Sequence, residues 1–433
     1  MKKYSYWIDT VNINYKISSE IPKNIDVLIV GSGYTGLNAA IEIAKNDRSV
    51  CVIDKGQFGE GCSTKNGGQI SNLLKPSLDE LSKKYGSDKA KKIRGEGVNA
   101  LEWLINFIKS ENIDCDLRRD GRFHGAHTPE AYEKIARNCE NLNKTEGIES
   151  IPISKANQKN EINSNLYHGG VLFPQHASIN PGKYHHELLV KSNKLGVRII
   201  SNCEMIDFIK LKNGFDVKTS KGLIKTKDLI IATNGYTSNV TPWLNRRNIP
   251  IGSYVIATEE LPNEFILDLL PSKRHITDTC RVVYYYRPSP DGKRIIFGGR
   301  VSSKEISLDR SGPLLKKDLV RIFPTLTNVD ISYSWMGYVS YSFDHLPHIG
   351  CNNGVFYSMG YCGSGIGLSS YLGMKLGRKV LQKNDGMTAF DDIDYPTKMF
   401  YYGKPWFLPA LVEVYKFKDN WEMRKYNKST KEH

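Results

Sequence analysis

Gly31, Gly33 and Gly36 stand at the spacing G-x-G-x-x-G between the apolar run Val27 to Val30 and a stretch in which Leu37, Ala40, Ile41 and Ala44 recur at helical period. That order is strand, tight turn, helix. The first glycine permits the turn, and the second lets backbone N–H groups approach a pyrophosphate at the helix N-terminus, where the dipole favours negative charge. The third allows the helix to sit close to the strand. Ser32, Tyr34 and Thr35 complete the loop, and Asp54, followed by Lys55, closes the next apolar run, Ser49 to Ile53. A carboxylate there accepts hydrogen bonds from a ribose 2′-OH and disfavours a 2′-phosphate. The unit is therefore expected to bind a dinucleotide other than NADP.

A second set of residues suits a reacting small molecule. Val283-Tyr284-Tyr285-Tyr286-Arg287 reads as a strand whose period of two puts Tyr285 and Arg287 on one face. Tyr285 reads equally as a substrate group and as a packed tyrosine. Arg300 could hold an anionic group bidentately or pair with a surface acid.

Two further regions must position these residues. Val197–Ile200, Met205–Leu211 and Phe215–Thr219 read as three strands, followed by a buried strand that ends in Ala232-Thr233-Asn234-Gly235. Gly354–Met359, then Gly360-Tyr361-Cys362-Gly363-Ser364-Gly365-Ile366, is again strand, glycine-rich loop and helix. That helix start is a second place for an anionic part of a cofactor.

The 433 residues suffice for two or three domains, and 40% hydrophobic with 24% charged residues is ordinary for a globular protein. No run approaches ~18 apolar residues, and the opening MKKYSYWIDT lacks an apolar signal core. The expected location is cytoplasmic, with no transmembrane segment. Eight cysteines without C-x-x-C spacing read as reduced thiols, and the histidines show no metal spacing. The formal charge of +14 admits nucleic acid, an anionic membrane or an acidic substrate. The lysines are scattered, so no nucleic-acid partner is expected. The tail KPWFLPALVEVYKFKDNWEMRKYNK mixes aromatic and basic residues, and packing on its own protein is preferred over contact with a membrane surface.

Taken with Ser63, Asn66, Gly67, Gly68 and Gln69 of the segment Cys62–Gln69, these regions resemble the FAD-dependent D-amino acid oxidase superfamily, which includes sarcosine and glycine oxidases. The likeness is nearest to its gamma-glutamylputrescine oxidoreductase branch. That branch shares Tyr6-Trp7 with Thr10, the Asn-Gly-Gly-Gln loop, Ile296-Phe297-Gly298-Gly299-Arg300, and Trp335-x-Gly337 before Asp344, Pro347 and Gly350. The resemblance implies an α/β fold: a doubly wound, Rossmann-like, glutathione-reductase-type FAD-binding domain interleaved with a mixed β-sheet substrate domain. The FAD-binding domain is expected over 24–95, 160–237 and 346–385, the substrate domain over 96–159 and 238–345, and a C-terminal extension over 386–433. The pyrophosphate would lie over Gly31 to Gly36 and the ribose on Asp54. Ser63 to Gln69 would line the flavin, Met205 would face the adenine, and Thr233 would belong to the cradle. Gly363, Gly365 and Ile366 would point amides at the pyrimidine end of the ring, stabilising its anionic reduced form.

Departures from the family pattern narrow the chemistry. Val339 stands where glycine oxidase carries its carboxylate-binding arginine, which disfavours a simple α-amino acid held in that mode. Gly337 replaces the cysteine that tethers FAD in sarcosine oxidases, so non-covalent FAD is expected. Ile296 replaces a lysine that promotes oxygen reduction, which weakens an oxidase relative to a dehydrogenase serving another carrier. Tyr285 and Arg300 are the expected catalytic residues. The expected reaction is oxidation of a primary or secondary amine to an imine that then hydrolyses, with oxygen or another carrier as acceptor. A polyamine derivative or an N-substituted amino acid would be a fitting substrate. A flavoprotein modifying RNA and a pyridine-nucleotide dehydrogenase are the alternatives, and the oligomeric state is open.

Overall fold

Val27, Leu28, Ile29 and Val30 are buried on both faces of one strand in the middle of an eight-stranded sheet. The structure, a computed structural model, describes residues 1–12, 18 and 20–429, the last four by backbone alone. Val27 and Ile29 enter one apolar core, Leu28 and Val30 the other, as the pleat requires of a parallel strand covered on both sides. Asn24–Val30 pairs in parallel with Val50–Ile53 and Gly222–Ile231, which extend the sheet to Arg198–Ile200 and Val355–Met359. Helices Tyr34–Ala44 and Gly365–Val380 pack together on one face.

The three-stranded appendage differs from expectation. Arg198–Ile200 belongs to the parallel sheet, and the antiparallel meander is Met205–Leu211, Gly214–Thr219 and the first half of Gly222–Ile231. The long strand thus serves both the meander and the parallel sheet.

A second eight-stranded sheet runs in the order Ile331–Tyr341, Ile249–Thr258, Ile295–Gly299, Tyr285–Pro288, His275–Asp278, Arg122–Gly125, Gly170–Phe173 and Ile151–Ile153. All its pairs are antiparallel except His275–Asp278 with Arg122–Gly125. Because Gly170–Phe173 hydrogen-bonds here, the boundary expected at 160 falls too early; the chain crosses to the first sheet only by helix Pro181–Lys194. The residues after 386 are also more than an extension. Phe390 and Ile393 enter the core of the first sheet, Tyr395 stacks on His348 at 4.0 Å, and the chain ends in helix Leu408–Ser429. All eight cysteines are free.

Candidate active site

A cavity of about 1450 Å³ lies between the two sheets, and the starts of both helices open onto it. At one end Gly31 has φ +108°, and a side chain on Gly36 would strike the Gly31 carbonyl, so the turn and the close approach of helix to strand both need glycine. Asp54 holds this turn. Its Oδ2 accepts from the Ser32 amide (2.9 Å) and hydroxyl (2.7 Å), and its Oδ1 from the Gly56 amide (3.1 Å). Ser63 Oγ accepts from the Tyr34 amide at 3.1 Å, placing a hydroxyl at the helix N-terminus. Gly33, Thr35, Lys55, Met205 and Thr233 all line the same end of the cavity. Gly363, Gly365 and Ile366 line it farther along. This bare-glycine cradle, with two helix N-termini facing one elongated cavity, fits an extended dinucleotide.

Loop Cys62–Gln69 is held from three directions. Asn66 donates to the carbonyls of Cys62 (3.0 Å) and Ser63 (2.9 Å), and its Oδ1 accepts from the Gly68 amide (2.9 Å). Trp7 donates its indole N–H to Asn66 O (2.8 Å), and Trp335 donates to Lys65 O (3.1 Å). The two tryptophans share an apolar cluster with Ile296, so the position that carries a lysine in the oxidases is here an apolar prop beneath the loop. Sequence reading noted Trp7 and Trp335 only as likenesses; their role rests on long-range contacts with no local signature. Gly68, with φ +73°, packs on Ile179 and Arg287 rather than lining the cavity. Arg287, buried, donates to the carbonyls of Gly68 and Ile179. Gln69 and Ser63 face the cavity.

Tyr285 sits against this loop. A Cβ on Gly67 would come within 2.8 Å of its ring, and Gly298 is equally hard against it. Its hydroxyl shares a 2.8 Å hydrogen bond with Ser253, and burial raises its pKa, so it stays protonated. It can orient a ligand but is a poor base at neutral pH.

Arg300 lines the cavity, and its Nε is buried without a hydrogen-bond partner. Its terminal nitrogens donate to Gly252 O (2.8 Å) and Ser303 O (2.9 Å), with Glu305 at 3.4 Å. Its terminal nitrogens thus fasten the cavity wall, and Glu305 is its acidic partner.

A different cationic group faces the cavity. His275 pairs with Arg122 and Thr277 with His124 across adjacent strands, and all four point to the cavity, while the alternate residues Phe123 and Ile276 enter the core behind. Tyr285 is the next partner of Thr277, so this face continues directly into the tyrosine. His124 Nδ1 bonds Thr277 Oγ1 at 2.9 Å. Lys75 enters from the opposite side, its Nζ 6.0 Å from the Tyr341 ring, and Tyr341 borders Gly363. Among the described residues neither Arg122 nor Lys75 forms an ion pair. Arg122 Nε and both ring nitrogens of His275 are buried without a hydrogen-bond partner. Desolvation pushes the Arg122 pKa down to about 10 and lowers that of Lys75, which lines the cavity although its side chain is exposed. Burial, aided by Arg122 and Lys75, pushes His124 down to about 3, so the imidazole is neutral. An unpaired, partly desolvated cation such as Arg122 costs stability unless a ligand completes it. Sequence reading missed these residues, although Arg122-Phe123-His124 and His275-Ile276-Thr277 each alternate polar with apolar. Only the register between two strands 150 residues apart makes them one patch.

At Gly337 the wall has no side chain, and Cys62 Sγ lies 3.5 Å from where one would begin. Burial raises the Cys62 pKa to about 11, so that thiol is protonated.

The family model described as FAD dependent oxidoreductase matches residues 26–378. A probable oxidoreductase OrdL of Haemophilus influenzae is 27% identical over 96% of this chain and 97% of its own length. The gamma-glutamylputrescine oxidoreductase of Escherichia coli is 28% identical over 86% of this chain and 87% of its own. Among solved structures, glycine oxidase from Geobacillus kaustophilus superposes with a TM-score of 0.72 at 18% identity, covering 87% of this chain and 99% of that one. L-proline dehydrogenase from P. horikoshii gives 0.69 at 18% identity over 86% and 96%. The glycine cradle, the two helix N-termini and the family match agree, and the chain belongs to the family of FAD-dependent oxidoreductases that act on amines and amino acids.

Proposed function

We propose that the protein oxidises the C–N bond of an amine that also carries an anionic group, held by Arg122 and Lys75 at a distance from the carbon that reacts. FAD, bound without a covalent link, supplies the hydride acceptor. The chain's own residues orient and desolvate the substrate. Tyr285, fixed by Ser253 and by the glycines on either side of its ring, forms the wall beside the flavin loop. The observation that carries the reading is the unpaired Arg122 on the sheet face that also carries Tyr285, with the unpaired Lys75 lining the same cavity. Tyr285, Thr277 and His124 follow one another on three adjacent strands, and Arg122 lies two residues beyond His124. Two strand spacings and one two-residue step put the Cα atoms of Tyr285 and Arg122 roughly 12 Å apart. That separation suits an anionic group on the far end of an extended amine and does not suit an α-carboxylate at the reacting carbon. It also agrees with Val339, which leaves no arginine on the strand nearest Gly337. Cationic walls disfavour an unmodified polyamine, whose second ammonium would meet Arg122 or Lys75.

The test is anaerobic flavin bleaching by three amine sets: long ω-amino carboxylates including gamma-glutamylated diamines, short α-amino acids, and free polyamines. The first set should reduce the flavin at the lowest concentrations. Preferential reduction by free polyamines would refute the assignment of the cationic patch.

A further inference from the structure

Helix Leu408–Ser429 is held to the body by one face only. At about 100° per residue, Leu408, Val412, Tyr415 and Asp419 share an inward arc, and Leu408, Val412 and Asp419 are buried. Arg281 clasps this face through Asp419 (2.8 Å) and Glu422 (2.8 Å), and His127 reaches Glu422 at 3.1 Å. Lys416 donates to Val301 O at 2.9 Å. The opposite arc, about 120° wide, carries Leu411, Val414, Phe417 and Trp421, all exposed, with Phe417 at 70% and Trp421 at 56%.

The exposed stripe is part of a larger surface. Eight of the eighteen exposed large apolar side chains of the described residues fall between Met399 and Trp421, including Met399 at 79%, Phe400 at 69% and Trp406 at 69%. Single exposed apolar residues need no explanation, but a contiguous group of this size marks a contact surface. At the same 100° per residue, Lys418 and Lys425 lie within the exposed arc and Arg424 at its edge, with Lys398 and Lys404 in the loop before it; of the acids on this helix, Asp419 and Glu422 are paired with Arg281, and Glu413 stands at the other side of Arg424 from the arc. Tryptophan and phenylalanine interspersed with lysine on one exposed arc, with the Lys425 ammonium over the Trp421 ring, is a composition suited to a lipid headgroup region. No helix of the described residues is long and apolar enough to cross a bilayer, so the helix lies on the surface.

We infer that the Met399–Trp421 face docks on an anionic lipid surface, with the helix axis parallel to it. Charge selects this occupant: a chain of formal charge +14 presents an aromatic face that itself carries Lys418 and Lys425, with Lys398 and Lys404 beside it, which matches an anionic bilayer and would repel a second copy. Met399, Trp406, Leu411 and Tyr415 of the same segment line the cavity, so the cavity mouth turns toward the membrane in the docked state. Packing of the inner face on the protein and contact of the outer face with lipid are thus both present in one helix.

Flotation of the full FAD-loaded chain with vesicles tests this directly. The protein should float with phosphatidylcholine vesicles containing roughly one third phosphatidylglycerol at low salt, with a blue shift of tryptophan emission. It should float far less with phosphatidylcholine alone or at roughly 0.5 M salt. Phe417→Ser with Trp421→Ser should lower the bound fraction about tenfold or more, with flavin content and thermal unfolding unchanged. Lys418→Glu with Lys425→Glu should abolish the preference for anionic lipid. The inference is overturned if the wild-type chain stays with the unbound fraction at low salt, or if both double variants float as it does. It is equally overturned if light scattering finds a dimer that Phe417→Ser with Trp421→Ser dissociates while vesicles bind neither form.

Discussion

Arg122→Ala separates a ligand-binding role from a structural one by the sign of two effects. Arg122 is half-buried, lacks an ion pair, has an unpartnered Nε, and keeps its charge beside Lys75 while its pKa is pushed down to about 10. Its guanidinium lies over the Phe173 ring, 4.8 Å from the centroid. Removing it from the unliganded protein relieves repulsion with Lys75 and a desolvated charge, against the loss of one cation–π contact of about 1 kcal/mol. Stability should therefore stay within about 1 kcal/mol of wild type. An anionic substrate loses a charge-assisted hydrogen bond in a water-poor site, about 2–3 kcal/mol, which is a rise of roughly 30- to 150-fold in the half-saturating amine concentration. Stopped-flow anaerobic flavin reduction measures that concentration and the limiting rate, and thermal unfolding monitored by flavin fluorescence measures stability. The limiting rate should change far less than the half-saturation. Loss of several kcal/mol of stability with unchanged half-saturation would show that Arg122 is a structural residue and refute the substrate reading.

Gly67→Ala places a methyl group 2.8 Å from the Tyr285 ring, so FAD should be retained while the limiting reduction rate falls about tenfold or more; an unchanged rate would remove Tyr285 from the site. Trp7→Phe removes the indole donor to Asn66 O and should cost about 1–2 kcal/mol, read as a weaker FAD dissociation constant with little change in secondary structure by circular dichroism. Arg300→Ala should loosen Gly252 and Ser303 and lower stability, with half-saturation for anionic amines moving much less than in Arg122→Ala. The clasp on the last helix should depend on pH through Glu422, whose pKa the Arg281 hydrogen bond lowers to about 2. Its contribution is complete above the unfolded value near ~4.3 and is lost as pH falls toward about 2, so proteolysis between 400 and 420 should accelerate across that window, whereas Arg281→Ala should be cut readily at neutral pH.

The cofactor end was legible because it is local. Gly31 to Gly36, the helix behind them and Asp54 form one continuous βαβ unit, and each residue's role follows from its neighbours in sequence. The long strand ending at Ile231 and the loop before Gly365 were also visible as apolar runs and glycines. The substrate end was not. Arg300 could be read either as an anion holder or as the partner of a surface acid, and its actual partners, Glu305 and two carbonyls, come from the following loop and a neighbouring strand. Arg122, His275 and Lys75 come from three distant segments; strand register makes the first two neighbours, and only the tertiary fold brings the irregular segment of Lys75 to the same cavity. The boundary expected at 160 moved for the same reason: Gly170–Phe173 is a short apolar run whose sheet is decided by its partner.

The long strand Gly222–Ile231 joins Asn24–Val30 to Val355–Met359, and loop Cys62–Gln69 rests on Trp7 and Trp335. During synthesis, then, the glycine turn emerges early with Trp7 and Val50–Ile53, but its other sheet neighbour, Gly222–Ile231, and the second prop, Trp335, arrive hundreds of residues later. Closure of such long loops makes for slow folding. The nascent N-terminal third must wait with its central strand unpaired on one side, so cofactor supply and chaperone protection matter most late in translation. Flavin loaded co-translationally should appear only after the segment through Val380 has cleared the ribosome.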